Sequence, residues 1–308
     1  MLNTMVQLLP NIMAVDAVTT NILDGKALAA ELRAEMASEV AEAIARGKRA
    51  PGLAVILVGD DAASQVYVRN KQKACNEVGI ASFPFILGAD TRQESLLALI
   101  EELNAREDVD GILLQLPLPR TLDTTACLQA IDPDKDVDGF HPVNMGKLAL
   151  GLSGFVPCTP LGVMELLKHN KLSVKGKKAV VVGRSEIVGK PLAQLLSSRS
   201  ENATVTLCHS ATSDLARECQ QADFLFLAMG KPCAINGEMV KDGAVVVDIG
   251  INRTDEGLKG DAHFESVAKK ASAITPVPGG IGPMTIAMLL RNTLDAWKRS
   301  AENGKTAA

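Results

Sequence analysis

No stretch of this 308-residue sequence is both long enough and free enough of charge to span a bilayer. The net charge is −4, so the basic excess of a nucleic-acid-binding surface is missing. The six cysteines, at 75, 127, 158, 208, 219 and 233, contain no Cys-x-x-Cys pair. A chain of this length needs no covalent staples, so they read as small buried thiols of a reduced, cytoplasmic protein, and no metal is expected. Residues 1–19 contain no Lys or Arg, which excludes the basic region of a secretory signal and the arginines of a transit peptide. Pro10 and Asp16 interrupt that apolar stretch, and it reads as an N-terminal extension outside the fold. Tyrosine is nearly absent, Tyr67 being the only one.

What is present is ample material for a core, 47% hydrophobic against 22% charged residues, in a length that suits about two domains. Helix-like and strand-like segments alternate. Helical periodicity over 24–46, 62–78 and 92–106 is interleaved with strand-length apolar runs at 53–58, 80–87 and 110–116. Residues 139–158 break the rhythm with Gly and Pro and read as a crossing between domains, after which Thr159-Pro160 offers an N-cap and a first-turn proline. A second series follows: strands 178–182, 203–208, 223–228 and 244–249, with helices 189–198 and 212–220. A final amphipathic helix over 284–300 is expected to return to the first domain. The expected architecture is α/β, two three-layer domains with mostly parallel sheets, the second of Rossmann type. Residues 20–158 with 285–308 form the first domain, and 159–284 the second.

The cofactor signal is the run Val180–Gly189, a strand, a tight turn and a helix start. Gly183 and Gly189 take the first and third glycine positions of a dinucleotide fingerprint, and Ser185 replaces the second. Glycine-bearing turns after strands are common, so the pattern gains weight only from the αβ series behind it. An NAD site would place an acid at the end of strand 203–208; here the strand ends in Cys208-His209-Ser210. Arg184 in the turn with Ser210 opposite suits a 2′-phosphate, which favours NADP, the alternative being a solvated turn arginine. Glu186 would repel phosphates unless it points to solvent or pairs with Lys190 four residues on.

In the first half, Tyr67 and Lys71 are four apart on a helix and share a face, whereas Lys73 is expected to face away from Tyr67. A lysine partly desolvated beside an aromatic ring can act as an acid or base, although most helical lysines are simply solvated. Gln115 interrupts the apolar run Gly111–Pro119 near a strand C-terminus, where α/β sheets line ligand crevices; the alternative is an edge glutamine facing water. Asp138 lies in an acidic turn that could merely be a cap. Thr275–Thr285 carries three prolines and three glycines, a stiff loop with close backbone approach at the domain junction.

Together these residues resemble the bifunctional methylenetetrahydrofolate dehydrogenase/methenyltetrahydrofolate cyclohydrolase family. The matching pieces run in order over about residues 22–300: Leu23–Lys26, Val58-Gly59, Tyr67-x-x-x-Lys71-x-Lys73, Gly111–Pro119, Pro133–Gly139, Val182–Gly189, Cys208–Ser210 and Pro276–Thr285. The resemblance implies NADP-dependent oxidation of 5,10-methylenetetrahydrofolate and hydrolysis of the methenyl product to 10-formyltetrahydrofolate. It implies Lys71 as the proton-transfer group, Gln115 as its positioner, and Tyr67 and Asp138 on the folate. Pro278, Gly279 and Gly280 are expected in the substrate site. Gly183, Arg184, Ser185, Gly189, Ser210 and Ile251 are expected on the cofactor, Ile251 by backbone contact with the nicotinamide. A cytoplasmic homodimer acting on tetrahydrofolate derivatives is the implied setting. Another two-domain NADP dehydrogenase, a monofunctional dehydrogenase and a non-catalytic NADP sensor are the competing readings.

Overall fold

The computed structural model describes residues 20–306; the N-terminal extension expected over 1–19 lies outside them. Strand β1 (Asn21–Ile22) and helix α1 (Gly25–Ala45) come first, then β2 (Gly52–Val58), α2 (Ala62–Val78), β3 (Ala81–Leu87), α3 (Gln93–Ala105) and β4 (Gly111–Leu114). These β–α repeats build a parallel three-stranded sheet in the order β3-β2-β4. The middle strand, Gly-Leu-Ala-Val-Ile-Leu-Val, is buried at every position, which is why it reads as a continuous apolar run rather than an alternating one. Two aspartates cap the flanking helices: Asp24 accepts from Ala27 N at 2.9 Å and Asp61 from Ser64 N at 2.7 Å. Caps of this kind are worth about 1 kcal/mol each.

The segment expected to be a plain crossing holds helix structure instead. After α4 (Thr124–Ala130), α5 (Pro142–Leu150) begins with its proline at the first helical position, where a missing N–H costs nothing. The His141 Nδ1 accepts from Val143 N at 3.1 Å, and Gly151 closes the helix in the left-handed conformation. Helix α6 (Cys158–His169) starts one residue before Thr159, so Thr159 is not its N-cap. Its hydroxyl instead meets that of Thr285 at 2.9 Å, tying α6 to the last helix.

The second series comprises β5 (Lys178–Val182), α7 (Gly189–Ser197), β6 (Thr204–Cys208), α8 (Leu215–Gln220), β7 (Phe224–Leu227) and β8 (Val245–Asp248). A small hairpin of β9 (Asn252–Thr254) and β10 (Gly257–Lys259) follows, then α9 (Phe264–Ala268), β11 (Ala273–Ile274) and α10 (Ile281–Thr306). The large sheet is parallel and ordered β1-β11-β8-β7-β5-β6. Strand β5 therefore has its successor β6 on one side and β7 on the other. That reversal opens a crevice at the C-terminal ends of β5 and β7, the position where open parallel sheets bind ligands.

Strand β1, from the start of the described chain, completes this second sheet by pairing with β11. Helix α10 packs along α1 and α6, its buried face including Met284, Met288, Leu294 and Trp297. Asn292 on it donates to the carbonyls of Val137 (2.8 Å) and Val156 (3.1 Å), so the segment carrying Asp138 is held from behind. One apolar cluster runs from α1 and α2 through α6 and α10 to β5, β7 and β8, joining the two sheets.

Candidate active site

Helix α2 buries Ser64, Val68, Cys75 and Val78, positions that line up on one stripe of a 3.6-residue helix. Lys71 falls on the same stripe and is half-buried, a cation set into an otherwise packed face. Its Nζ donates to Gln115 Oε1 at 3.0 Å. Gln115 follows directly on β4. Its backbone N–H continues the sheet to Ile56 O at 2.9 Å, and its side-chain amide donates to Leu116 O at 2.7 Å. Both ends of the Gln115 side chain are thus engaged, so its oxygen is aimed at Lys71 rather than at water. A hydrogen bond from a charged group of this kind is worth about 1.5–3 kcal/mol.

Asp138 is half-buried in the turn before α5. Burial pushes its carboxyl up from the ordinary range and nearby Asp136 adds to the push, while the Lys71 ammonium and the neighbouring Cys158 thiol work against it. Asp136 itself is structural: it accepts from His141 N at 2.8 Å, Phe140 N at 3.2 Å and Asn144 Nδ2 at 2.9 Å. Lys71, Gln115 and Asp138 therefore form one cluster, drawn from a helix, a strand end and a turn.

Beside the cluster lies a cleft of about 450 Å³ between the two sheets. Tyr67, 41% exposed, lines it together with Asn70 and Lys73 of α2. Lys73 thus does not face away from Tyr67: it sits on the flank of the same face and contributes to the rim. Across the cleft stand Ile251 and the loop Pro276–Gly282, including Pro278, Gly279 and Gly280. The loop is held by α1, whose Lys26 N–H donates to Gly279 O at 2.8 Å. A Cβ on Gly25 would lie 2.0 Å from Gly280 O, so no larger residue fits that contact.

The dinucleotide-type turn occupies the crevice end of the large sheet. Gly183 has φ +123°, and a Cβ there would stand 2.1 Å from Ala228 O at the end of β7. A Cβ on Gly189 would stand 1.9 Å from Gly183 O, so turn and helix approach as closely as backbone allows. Ser185 Oγ accepts from Val188 N at 3.2 Å and Gly189 N at 3.4 Å. Glu186 pairs with Lys190 at 2.7 Å on the surface, which offsets its charge near the turn. Arg184 and Ser210 are both exposed. The cleft lining does not include Arg184, Ser185 or Ser210, nor Lys71, Gln115 or Asp138.

Sequence reasoning passed over two buried carboxylates beneath the crevice, Asp248 at the end of β8 and Asp261. The available signal was Asp248 itself, a charge closing the apolar run Ala244–Ile249.

Fold and site together define a class: a two-sheet α/β scaffold that carries a dinucleotide-type turn after a strand of the large sheet and a lysine–glutamine–aspartate cluster in the first half of the chain. Two family models match consecutive parts of the chain. One is the tetrahydrofolate dehydrogenase/cyclohydrolase catalytic domain, over residues 23–138; the other is the NAD(P)-binding domain of the same family, over residues 157–301. The chain is 69% identical to the bifunctional protein FolD of Desulfovibrio desulfuricans over 280 residues, covering 90% of this chain and 98% of that one. It is 59% identical to the same protein of Moorella thermoacetica, over 90% of this chain and 99% of the relative. Among solved structures, the bifunctional dehydrogenase/cyclohydrolase of Campylobacter jejuni superposes with a TM-score of 0.89 at 50% identity, covering 91% of this chain and 99% of that one. The Trypanosoma brucei enzyme, complexed with NADP and an inhibitor, superposes at 0.87 with 41% identity, covering 92% and 98%. The chain belongs to the tetrahydrofolate dehydrogenase/cyclohydrolase family.

Proposed function

We infer that the chain oxidises 5,10-methylenetetrahydrofolate with NADP to 5,10-methenyltetrahydrofolate and hydrolyses that product to 10-formyltetrahydrofolate. The observation that supports it most directly is the 3.0 Å hydrogen bond from Lys71 to Gln115, on the helix that also brings Tyr67 to the cleft. The cofactor fits the turn, because the Cβ-free approach of Gly183 and Gly189 keeps the backbone clear for a pyrophosphate at the start of α7. Exposed Arg184 supplies a cation for the 2′-phosphate, with Ser210 as a further partner, and Ser185 shapes the turn. When bound, NADP supplies the hydride acceptor. The relative with bound NADP agrees with that choice.

The two reactions ask different things of the protein. Loss of hydride from the one-carbon bridge leaves a resonance-stabilised amidinium, so no proton has to be removed, and orientation is the main task. Tyr67 packs against the folate, and Asp138 accepts hydrogen bonds from its aminopterin edge. The Pro278–Gly280 loop and Ile251 confine the rings in the cleft. Hydrolysis then adds water to the cationic carbon and opens the ring with net release of one proton. Lys71 Nζ is the group in position to move protons there, and Gln115 holds it.

The unit boundaries 20–158 with 285–308 and 159–284, a cytoplasmic location and a homodimer belong to the same reading. Among the described residues, no helix is long and apolar enough to cross a membrane. The test is an absorbance assay of the purified protein with methylenetetrahydrofolate and either cofactor. Formation of NADPH followed by loss of the methenyl chromophore is expected, with kcat/KM at least about tenfold higher for NADP than for NAD. No reduction of either cofactor would overturn the function, and equal use of both would overturn the NADP assignment.

A further inference from the structure

Asp248 and Asp261 gather an unusual number of donors for two buried carboxylates. Asp248 accepts from Gly250 N (3.0 Å), Asp261 N (3.0 Å) and Ala262 N (2.8 Å). Asp261 accepts from Met229 N (2.7 Å), Gly230 N (3.1 Å), Lys231 N (2.8 Å) and the Asn252 side-chain amide (2.9 Å). The loop leaving β7 and the turn leaving β8 are thereby fastened to one segment, 260–262. The fit leaves no slack. A Cβ on Gly250 would lie 2.2 Å from the Asp261 carboxyl carbon, and one on Gly260 would lie 2.0 Å from an Asp248 oxygen.

The fastened turn carries Ile251, which lines the cleft opposite Tyr67, as do Asp248 and Ile249. A second tie runs from the same strand end to the other segment of this wall: the Thr275 hydroxyl accepts from Asp248 N at 2.7 Å, and Thr275 leads directly into the Pro276–Gly282 loop. The hydride must cross between two rings lying face to face in this cleft. The Gly250–Asn252 turn brings Ile251 to the wall opposite Tyr67, and neither aspartate hydrogen-bonds to the Arg184 turn. We propose that Asp248 and Asp261 are positioning residues for the nicotinamide half of the cofactor, acting through the backbone of the 229–231 loop and the Gly250–Asn252 turn. This rests on the NADP-dependent function proposed above.

Loss of one hydrogen bond to a buried carboxylate is worth roughly a tenfold change in binding or rate. Two full-length variants test the proposal: Asp261→Asn, which keeps the shape but sets an amide N–H against backbone donors, and Asn252→Ala, which removes one partner and leaves the three backbone N–H bonds. Calorimetry measures the affinity for NADP and for adenosine 2′,5′-bisphosphate, the half of the cofactor without nicotinamide. Cyclohydrolase activity is measured on added methenyltetrahydrofolate with no cofactor present. The expected result is NADP affinity and dehydrogenase kcat each lower by about tenfold, with bisphosphate affinity and cyclohydrolase rate within about threefold of the wild type. Equal losses in both ligands and both activities would mark a merely structural role and overturn the proposal; so would wild-type values throughout. If Asp261→Asn does not fold, as judged by its thermal transition, Asn252→Ala decides by the same criteria. Wild-type enzyme in the same assays separates the two claims: if it fails to reduce NADP, the function itself fails, whereas wild-type activity with unselective variants overturns only the positioning role.

Discussion

The two sides of the cleft are built from different materials. On the folate side the site consists of side chains: Lys71, Gln115 and Asp138 come from three separate elements and meet through their functional groups. On the cofactor side it consists of backbone brought close by glycines, at Gly183, Gly189 and Gly250, with two carboxylates fastening the loops from beneath. A side chain whose pKa or hydrogen bond does chemistry can be altered with little change in shape. A backbone cradle cannot, because any Cβ moves atoms. Substitutions of the folate-side functional groups should therefore change chemistry or folate binding with the fold intact, and those at the cofactor-side glycines should change affinity and stability together.

Asp138→Ala gives the largest of three effects on this comparison. If Asp138 holds the folate as proposed, removing its carboxylate should lower kcat/KM for the folate by roughly 100-fold in both reactions, with NADP affinity near wild type. Steady-state kinetics with each substrate varied in turn checks it. Unchanged folate KM would return Asp138 to the role of an acidic turn residue.

Gly183→Ala comes next. The new Cβ meets a carbonyl at 2.1 Å in a backbone conformation that L side chains rarely adopt. It should cost more than about 1 kcal/mol of stability, visible as a lower Tm, and weaken NADP affinity. Cyclohydrolase activity in the fraction that remains folded should persist. A Gly183→Ala enzyme with unaltered Tm and NADP affinity would break the distinction between the two sides.

Arg184→Ala is the mildest, since the side chain is exposed and no backbone moves. Loss of one charge-assisted phosphate contact should shrink the NADP/NAD preference by about tenfold without changing Tm. An unchanged ratio of kcat/KM values would leave Arg184 as a solvated turn residue.

The same contrast governs how much was legible in the sequence. The β–α alternation could be read because buried parallel strands such as Leu53–Val58 are uniformly apolar and helices such as α2 carry both caps, Asp61 and Gly79. Helix α5 was hidden because Pro142 looked like a breaker, when at the first helical position it is a starter. The two-residue strand β1 has no periodicity to detect; its pairing with β11, some 250 residues away along the chain, is decided by tertiary structure alone. At the site, Gln115 stood out as a polar residue inside an apolar strand and Lys71 as a lysine sharing a helix face with the single tyrosine, and their mutual hydrogen bond explains how both are accommodated. Asp248 broke an apolar strand in the same manner. Its partners are backbone N–H groups of a distant segment, which no side-chain pattern reveals.

The central claim is that one lysine serves the hydrolysis and not the hydride transfer. The most direct test is the time course of Lys71→Met enzyme with methylenetetrahydrofolate and NADP, followed at the absorbance bands of NADPH and of the methenyl product. Removing a general acid–base group typically costs about 10²–10⁴-fold. NADPH should still form, at a reduced rate, and methenyltetrahydrofolate should accumulate in step with it because hydrolysis has lost its proton-transfer group. A Lys71→Met enzyme that still clears methenyltetrahydrofolate at near the wild-type rate, after subtraction of the uncatalysed reaction, would contradict the account.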